Sequence, residues 1–257
     1  MPTTRVILLG VFFSAALVAA DSPFAGTWKM NPAKSNLTGT TITYKQLAGG
    51  EMEATLDGQS FKFKMDGKQY PDPFGDVAAW KAVDANTWQT DWTLNGKPLA
   101  SDTLKLLADG KTLTVESKGT KPNGDKFDDT TVFQRVSGGP GLPGTWKTAK
   151  VNVGAPSVFE FVPSGANALT FKMVDMKMQC DTKVDGKDYP CSGPEVGPGW
   201  TLSLAKSADR AMDLVIKKDG KPFYKYSDTV SADGKTLTEI GGASATNEKM
   251  KIVFDKQ

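Results

Sequence analysis

The sequence predicts an all-β protein: two tandem, antiparallel up-and-down β-barrels behind an N-terminal signal helix. Three observations carry that reading. The chain repeats itself; Asp-Gly and Asn-Gly pairs punctuate both copies; and apolar residues alternate with polar ones between those pairs.

The first element is residues 1–20, MPTTRVILLGVFFSAALVAA. Arg5 supplies a short positive start, Val6 to Val18 is almost wholly apolar, and Val18 and Ala20 suit cleavage before Asp21. That is the pattern of a secretory signal peptide. The apolar run is shorter than the ~20 residues of a spanning helix, and no second such run follows. The mature chain is therefore expected to be exported, periplasmic or extracellular, with no membrane span.

The repeat defines the next elements. Gly26-Thr27-Trp28-Lys29 recurs as Gly144-Thr145-Trp146-Lys147, an offset of 144 − 26 = 118. MDGKQYP at 65–71 recurs as VDGKDYP at 184–190, and Trp80 is matched with Trp200. NGKP at 95–98 is matched by DGKP at 219–222, and ADGKTLT at 108–114 recurs at 232–238, both 124 residues later. Kept order with a slowly drifting offset means a duplicated domain. The expected organisation is a signal peptide at 1–20, one barrel at 21–137, a Gly- and Pro-rich linker at 138–143 and a second barrel at 144–257.

Within each copy, Asp-Gly and Asn-Gly pairs tolerate the positive φ of tight hairpin turns. Between them, Phe61, Phe63 and Met65 alternate with lysines and Asp66, and Trp88, Trp92 and Leu94 alternate with Gln89, Asp91 and Thr93. Period two over short runs is the mark of half-buried strands, about eight to ten per copy by turn spacing. No window carries a helical stripe. A long meander removes its exposed edges by closing into a barrel.

The Gly-x-Trp start followed by a meander resembles the lipocalin and fatty-acid-binding protein superfamily. It is most similar to exported bacterial lipocalin-like proteins, which carry GTWK, DGKxYP and DGKTLT segments. The resemblance covers both copies. It implies that the first-strand Trp of each copy packs under the barrel floor beneath a cation from the last strand: Trp28 with Arg135, and Trp146 with Lys256. A cation over an indole face gains about 0.5–2 kcal/mol. Two features of fatty-acid-binding proteins are missing: a helical pair after the first strand, and an Arg-x-Tyr pair to hold a carboxylate. FQRV and FDKQ stand where that pair would be.

The chemistry-bearing residues narrow the function classes. The chain has no histidine, which removes the His-based triads and the usual His-containing zinc sets. With 31 basic and 29 acidic residues and no basic cluster, nucleic acid is not an expected partner. Cys180 and Cys191 are the only cysteines and sit symmetrically about Asp185-Gly186. A two-residue turn there brings the sulfurs face to face, and in an oxidising compartment a disulfide is favoured over two separate buried thiols. The matching first-copy positions are Phe61 and Asp72. Met176, Met178 and Cys180 alternate onto one face, with a bulge expected near Val174-Asp175. A soft copper site is conceivable from such residues, but Met as core filler is the better reading. Asp128 and Asp129 are adjacent on a strand and so point to opposite faces. Asp102 and Asp228 occupy matching SDT triplets and are read as products of the duplication. No catalytic constellation, metal site or cofactor is expected.

Aromatic residues remain as candidates for binding. Trp80, Trp88, Trp92, Phe61 and Phe63 crowd the first copy, with Phe74 nearby, whereas Met212 and Ile216 stand opposite Trp88 and Trp92 in the second. The expected function is an exported carrier holding a small apolar or amphipathic molecule in a barrel cup, not an enzyme. The alternative is an envelope or extracellular protein with filled barrels that binds glycans or proteins through its outer surface. Of the two cups, the first is expected to hold the ligand.

Overall fold

The computed structural model describes residues 22–194 and 196–257. The signal peptide expected at 1–20 lies outside the described residues. Strands make up about two thirds of the described residues. In chain order the first copy contains β1 (Gly26–Met30), β2 (Thr41–Gln46), β3 (Glu51–Leu56), β4 (Gln59–Lys64), β5 (Asp66–Pro71), β6 (Val77–Asp84), β7 (Thr87–Leu94), β8 (Lys97–Leu106), β9 (Thr112–Thr120) and β10 (Lys126–Ser137). The second contains β11 (Gly144–Asn152), β12 (Val158–Gly165), β13 (Ala168–Met173), β14 (Met178–Lys183), β15 (Tyr189–Ser192), β16 (Trp200–Ala208), β17 (Ala211–Lys218), β18 (Lys221–Val230), β19 (Thr236–Ala243) and β20 (Met250–Lys256). The helical content among the described residues is two short 3-10 turns, at 32–34 and 48–50.

Two ten-stranded antiparallel sheets result, but each contains a strand from the other copy. β1 pairs with β12 and β20, closing a barrel otherwise built from the second copy. β11 pairs with β10 and β2, completing the sheet of the first copy. The expected division into self-contained barrels at 21–137 and 144–257 is therefore corrected: the copies exchange their first strands. The linker supplies the physical reason. Six residues, 138–143, join β10 to β11, short enough for a local hairpin whose closure costs little chain entropy. Gly138 takes a φ of 112°, and a Cβ there would lie 2.4 Å from the Gly144 Cα. Once β11 occupies the edges of β10 and β2, β1 has no place in its own barrel and fills the matching slot in the other.

The crossing segments are tied down. Asn36 bridges to Lys251 on β20, and Lys34 and Asn31 both reach Asp255. Gly39 and Thr40 then pair with Thr148 on β11, while Thr41 donates its backbone N–H and its hydroxyl to Glu248. At the second crossing, the largely buried Lys121 Nζ lies 2.7 Å from the carboxylate of Asp175 and also donates to the Ala155 carbonyl.

The floors follow the exchange. Trp28 and Trp146 are fully buried, and each indole N–H donates to the carbonyl four residues earlier, Phe24 at 2.7 Å and Leu142 at 2.9 Å. The cations are present, but the expected pairs Trp28–Arg135 and Trp146–Lys256 are corrected. The Arg135 guanidinium lies 4.0 Å over Trp146, and Lys256 lies 5.3 Å over Trp28. The residue types suited the role, and strand exchange reassigned the partners.

Turn chemistry explains the registers. Asp57-Gly58, Asn95-Gly96 and Asp219-Gly220 each have positive φ at both residues, the conformation of the tight hairpin turn that suits β twist. The DGKxYP repeat is a structural device: Asp66 accepts from the Lys68 N–H and the Tyr70 hydroxyl, and Asp185 does the same with Lys187 and Tyr189.

Three further sequence expectations change. Cys180 and Cys191 are cross-strand partners joined by a disulfide of 2.00 Å, but the connection is a loop over 184–188, not a two-residue turn. The Met-rich stretch holds a turn at 174–177, not a bulge, so Met173 pairs with Met178 while Met176 sits in the turn. Finally, pairing matches Trp80 with Leu204, not Trp200: Trp80 opposes Thr90, and Leu204 opposes Leu214, each 124 residues on.

Candidate ligand-binding cavity

The two sheets differ at one seam. In the second barrel β14 and β15 are paired and held by Cys180–Cys191, and the barrel closes. In the first sheet β4 and β5 lie at the two ends of the hydrogen-bonded order and do not pair. Phe61 and Asp72, the counterparts of the two cysteines, both line a cavity of about 390 Å³ inside that sheet. This volume lies within the ~300–1,000 Å³ of ordinary small-molecule sites.

The wall is aromatic. Tyr44, Phe61, Trp80, Trp92 and Phe133 line it, with Phe74 at the side facing the second barrel, where its ring meets Phe223 at 5.5 Å. Strand alternation places these rings inward: Trp92 sits on the inner face of β7, and Trp80 on that of β6. Trp80 stacks on Phe63 at 4.3 Å and meets Tyr44 and Trp92 edge-on at 6.1 and 6.3 Å. Its indole N–H is buried and has no hydrogen-bond partner among the described residues. Of the five residues expected to bind, Trp80, Trp92 and Phe61 line the cavity. Trp88 and Phe63 do not: both are buried in the core, where Phe63 supports Trp80 from behind.

Sequence reasoning missed the polar half of this cavity. Asp57, Asp72, Asp76 and Asp102 line it, and no lysine or arginine does. Asp102 accepts from the Trp92 indole N–H at 2.7 Å. Burial nevertheless holds its carboxyl above the usual range, against the hydrogen bonds from Ser117 and Trp92. Asp72 accepts from the backbone N–H groups of Phe74, Gly75 and Asp76. Burial, helped by Asp72, pushes Asp76 up to about 6. Asp57 accepts from the Tyr224 hydroxyl at 2.9 Å, and burial raises its pKa as well. Only the DG turn of Asp57 was visible in the sequence; that its side chain faces a cavity depends on the neighbouring barrel.

Tyr224, from the second barrel, lines this cavity and also a second one of about 260 Å³ inside the second barrel. That smaller cavity is walled by Phe159, Phe171, Met173, Ile216, Ile252 and other apolar residues, and it contains Asp228 and Glu239. The duplicated SDT triplets are out of structural register. Asp102 falls seven residues after the turn residue Asn95, but Asp228 falls nine after Asp219. The two-position difference keeps the carboxylate on the inner face and moves it about 6.6 Å along the strand, at ~3.3 Å per residue. The true counterparts are Tyr226 for Asp102 and Leu104 for Asp228, since Leu104 spans Trp88 and Val115 as Asp228 spans Met212 and Glu239.

Among the described residues no cluster of His, Cys, Asp and Glu is suited to hold a metal ion, and the disulfide withdraws the Cys180 sulfur from soft-metal chemistry. No helix among the described residues is long and apolar enough to cross a membrane. A disulfide is at home in an oxidising, exported compartment. No family model, curated protein or solved structure matches the chain.

Proposed function

We propose that this chain is an exported, lipocalin-like carrier that holds a small apolar or amphipathic molecule in the cavity of its first barrel. One observation carries the reading: a 390 Å³ space walled by aromatic rings, among them Trp80, whose buried indole N–H has no protein acceptor among the described residues. A buried donor without a partner costs about 1–3 kcal/mol, and a ligand oxygen or nitrogen would relieve that cost. The rings supply apolar contact at low conformational entropy. The unpaired β4–β5 seam gives a route of entry that the disulfide closes in the sister barrel. Nothing in the cavity joins a nucleophile to a base, so binding and release fit the residues better than catalysis.

The test uses the whole mature chain and the neutral probe N-phenyl-1-naphthylamine. Native mass spectrometry of fresh protein is expected to show a co-purified small molecule. The probe is expected to quench Trp80 and Trp92, and Thr131→Trp, placed on the cavity wall, is expected to abolish that quenching. Probe binding that leaves tryptophan emission unchanged and ignores Thr131→Trp would refute the assignment and favour binding through the outer surface.

A further inference from the structure

We propose that the second barrel carries a separate binding site for an organic ammonium ion, its charged head held by Asp228 and Glu239 and its apolar body by the surrounding wall. The site is distinct from the first cavity, although Tyr224 lines both, and does not rest on the carrier reading.

Geometry is the first ground. Asp228 is 1% exposed, and neither of its carboxylate oxygens has a hydrogen-bond partner among the described residues. Glu239 is its direct cross-strand partner on β19. Both line the 260 Å³ cavity, whose lining residues include no lysine or arginine. A buried carboxylate without a partner is among the most costly groups a core can contain, and two side by side repel each other.

The duplication is the second ground, because it supplies an internal control. In the first barrel the same positions are Leu104 and Val115, also cross-strand partners on an inner face. The corresponding two strands therefore pair with apolar residues at that rung and have no structural need of acids there. Two carboxylates replacing Leu and Val at one rung are placed for something that enters the cavity.

The surroundings define what that is. The groups facing the pair are Tyr226 and Tyr224 on its own strand, Asp57 beyond Tyr224, and Asp213 on β17, which lies on the outer face beside Ser227. None is basic. Burial raises both carboxyl pKa values, helped by Asp213 at Asp228 and by Asp228 at Glu239, and no cation lines the cavity to offset them. A hard metal ion seeks six or more oxygens, and the rest of the wall is mainly Phe159, Phe171, Met173, Ile216 and Ile252. An alkyl- or arylammonium satisfies both halves: N–H donors for the carboxylates and carbon for the wall.

The experiment titrates the full mature chain with n-hexylamine, 1-hexanol and hexanoate at pH 8, followed by calorimetry and by 13C-carboxyl NMR of Asp228 and Glu239. Hexylammonium is expected to bind about tenfold or more tighter than hexanol, the ratio a charge-assisted hydrogen bond carries, and hexanoate not to bind. Both carboxyl resonances are expected to titrate at lower pH with the amine present. The preference is expected to weaken on acidification, as the carboxylates take up protons while the ammonium stays charged. Asp228→Asn with Glu239→Gln keeps the shape, and Asp228→Leu with Glu239→Val installs the pair of the first barrel; both double variants are expected to lose the preference. Equal binding of hexylamine and hexanol would overturn the proposal, as would a preference that survives either double variant. Neither result bears on probe quenching at Trp80 and Trp92, so the two proposals fail separately.

Discussion

Trp28→Ala is expected to loosen the barrel of the other copy, not its own. Trp28 is fully buried, donates its indole N–H to Phe24 at 2.7 Å and lies under Lys256 at 5.3 Å. Truncating a buried aromatic to Ala costs about 3–5 kcal/mol. The lost hydrogen bond and cation contact push the value toward the upper end. Its backbone pairs with Phe159 on β12 and Lys256 on β20. Amide hydrogen exchange followed by mass spectrometry is therefore expected to speed up by about a hundredfold or more in β12 and β20, with β2 and β10 close to wild type. Trp146→Ala is expected to give the mirror image, loosening β2 and β10, which flank it. If Trp28→Ala unprotects β2 and β10 as much as β12 and β20, the copies do not exchange their first strands.

Two further outcomes follow from the seam and the buried acids. Replacing Cys180 and Cys191 by Ser removes a link of sequence separation 11 and is expected to cost about 3 kcal/mol from loop entropy. Urea denaturation reads the cost, and unchanged stability with unchanged exchange over residues 178–192 would contradict a closing role. Acidification from pH 7.5 to pH 4.5 is expected to raise the melting temperature. The Asp76 carboxyl, at about 6 in the folded protein, and those of Asp57, Asp72, Asp102, Asp228 and Glu239, all raised by burial, bind protons more tightly folded than unfolded. Their stabilisation is complete below the unfolded carboxylate value of ~4 and is lost as pH rises through the folded values. Exposed carboxylates that hydrogen bonds hold low, such as Asp66 and Asp109, act in the opposite sense only below that window. A melting temperature that falls steadily from pH 7.5 would sink this account, and Asp228→Leu with Glu239→Val is expected to flatten part of the rise.

Much of the molecule was legible in the chain itself. Period-two alternation and Asp-Gly or Asn-Gly turns are local instructions, read by the backbone within a few residues, and they determined the strands. The repeated segments determined that there would be two sheets. The cysteine spacing placed the sulfurs together even with a longer loop, because pairing depends on the strands on either side of it. The Trp and cation of each floor were identifiable as types. What the sequence could not decide was which copy each first strand joins, because GTWK opens both and either strand fits either barrel. The six-residue linker decided it by making the β10–β11 hairpin the local choice. Nor could the triplet SDT reveal its depth: strand register is set by the turn before it, and the triplet starts two positions later in β18 than in β8, which puts Asp228 where the first copy has Leu104. The cavity walls likewise depend on residues brought together across the sheet and across the two barrels, such as Tyr44, Trp80, Asp57 and Tyr224. Strand pattern says which face a side chain takes; only the closed sheet says what it meets there.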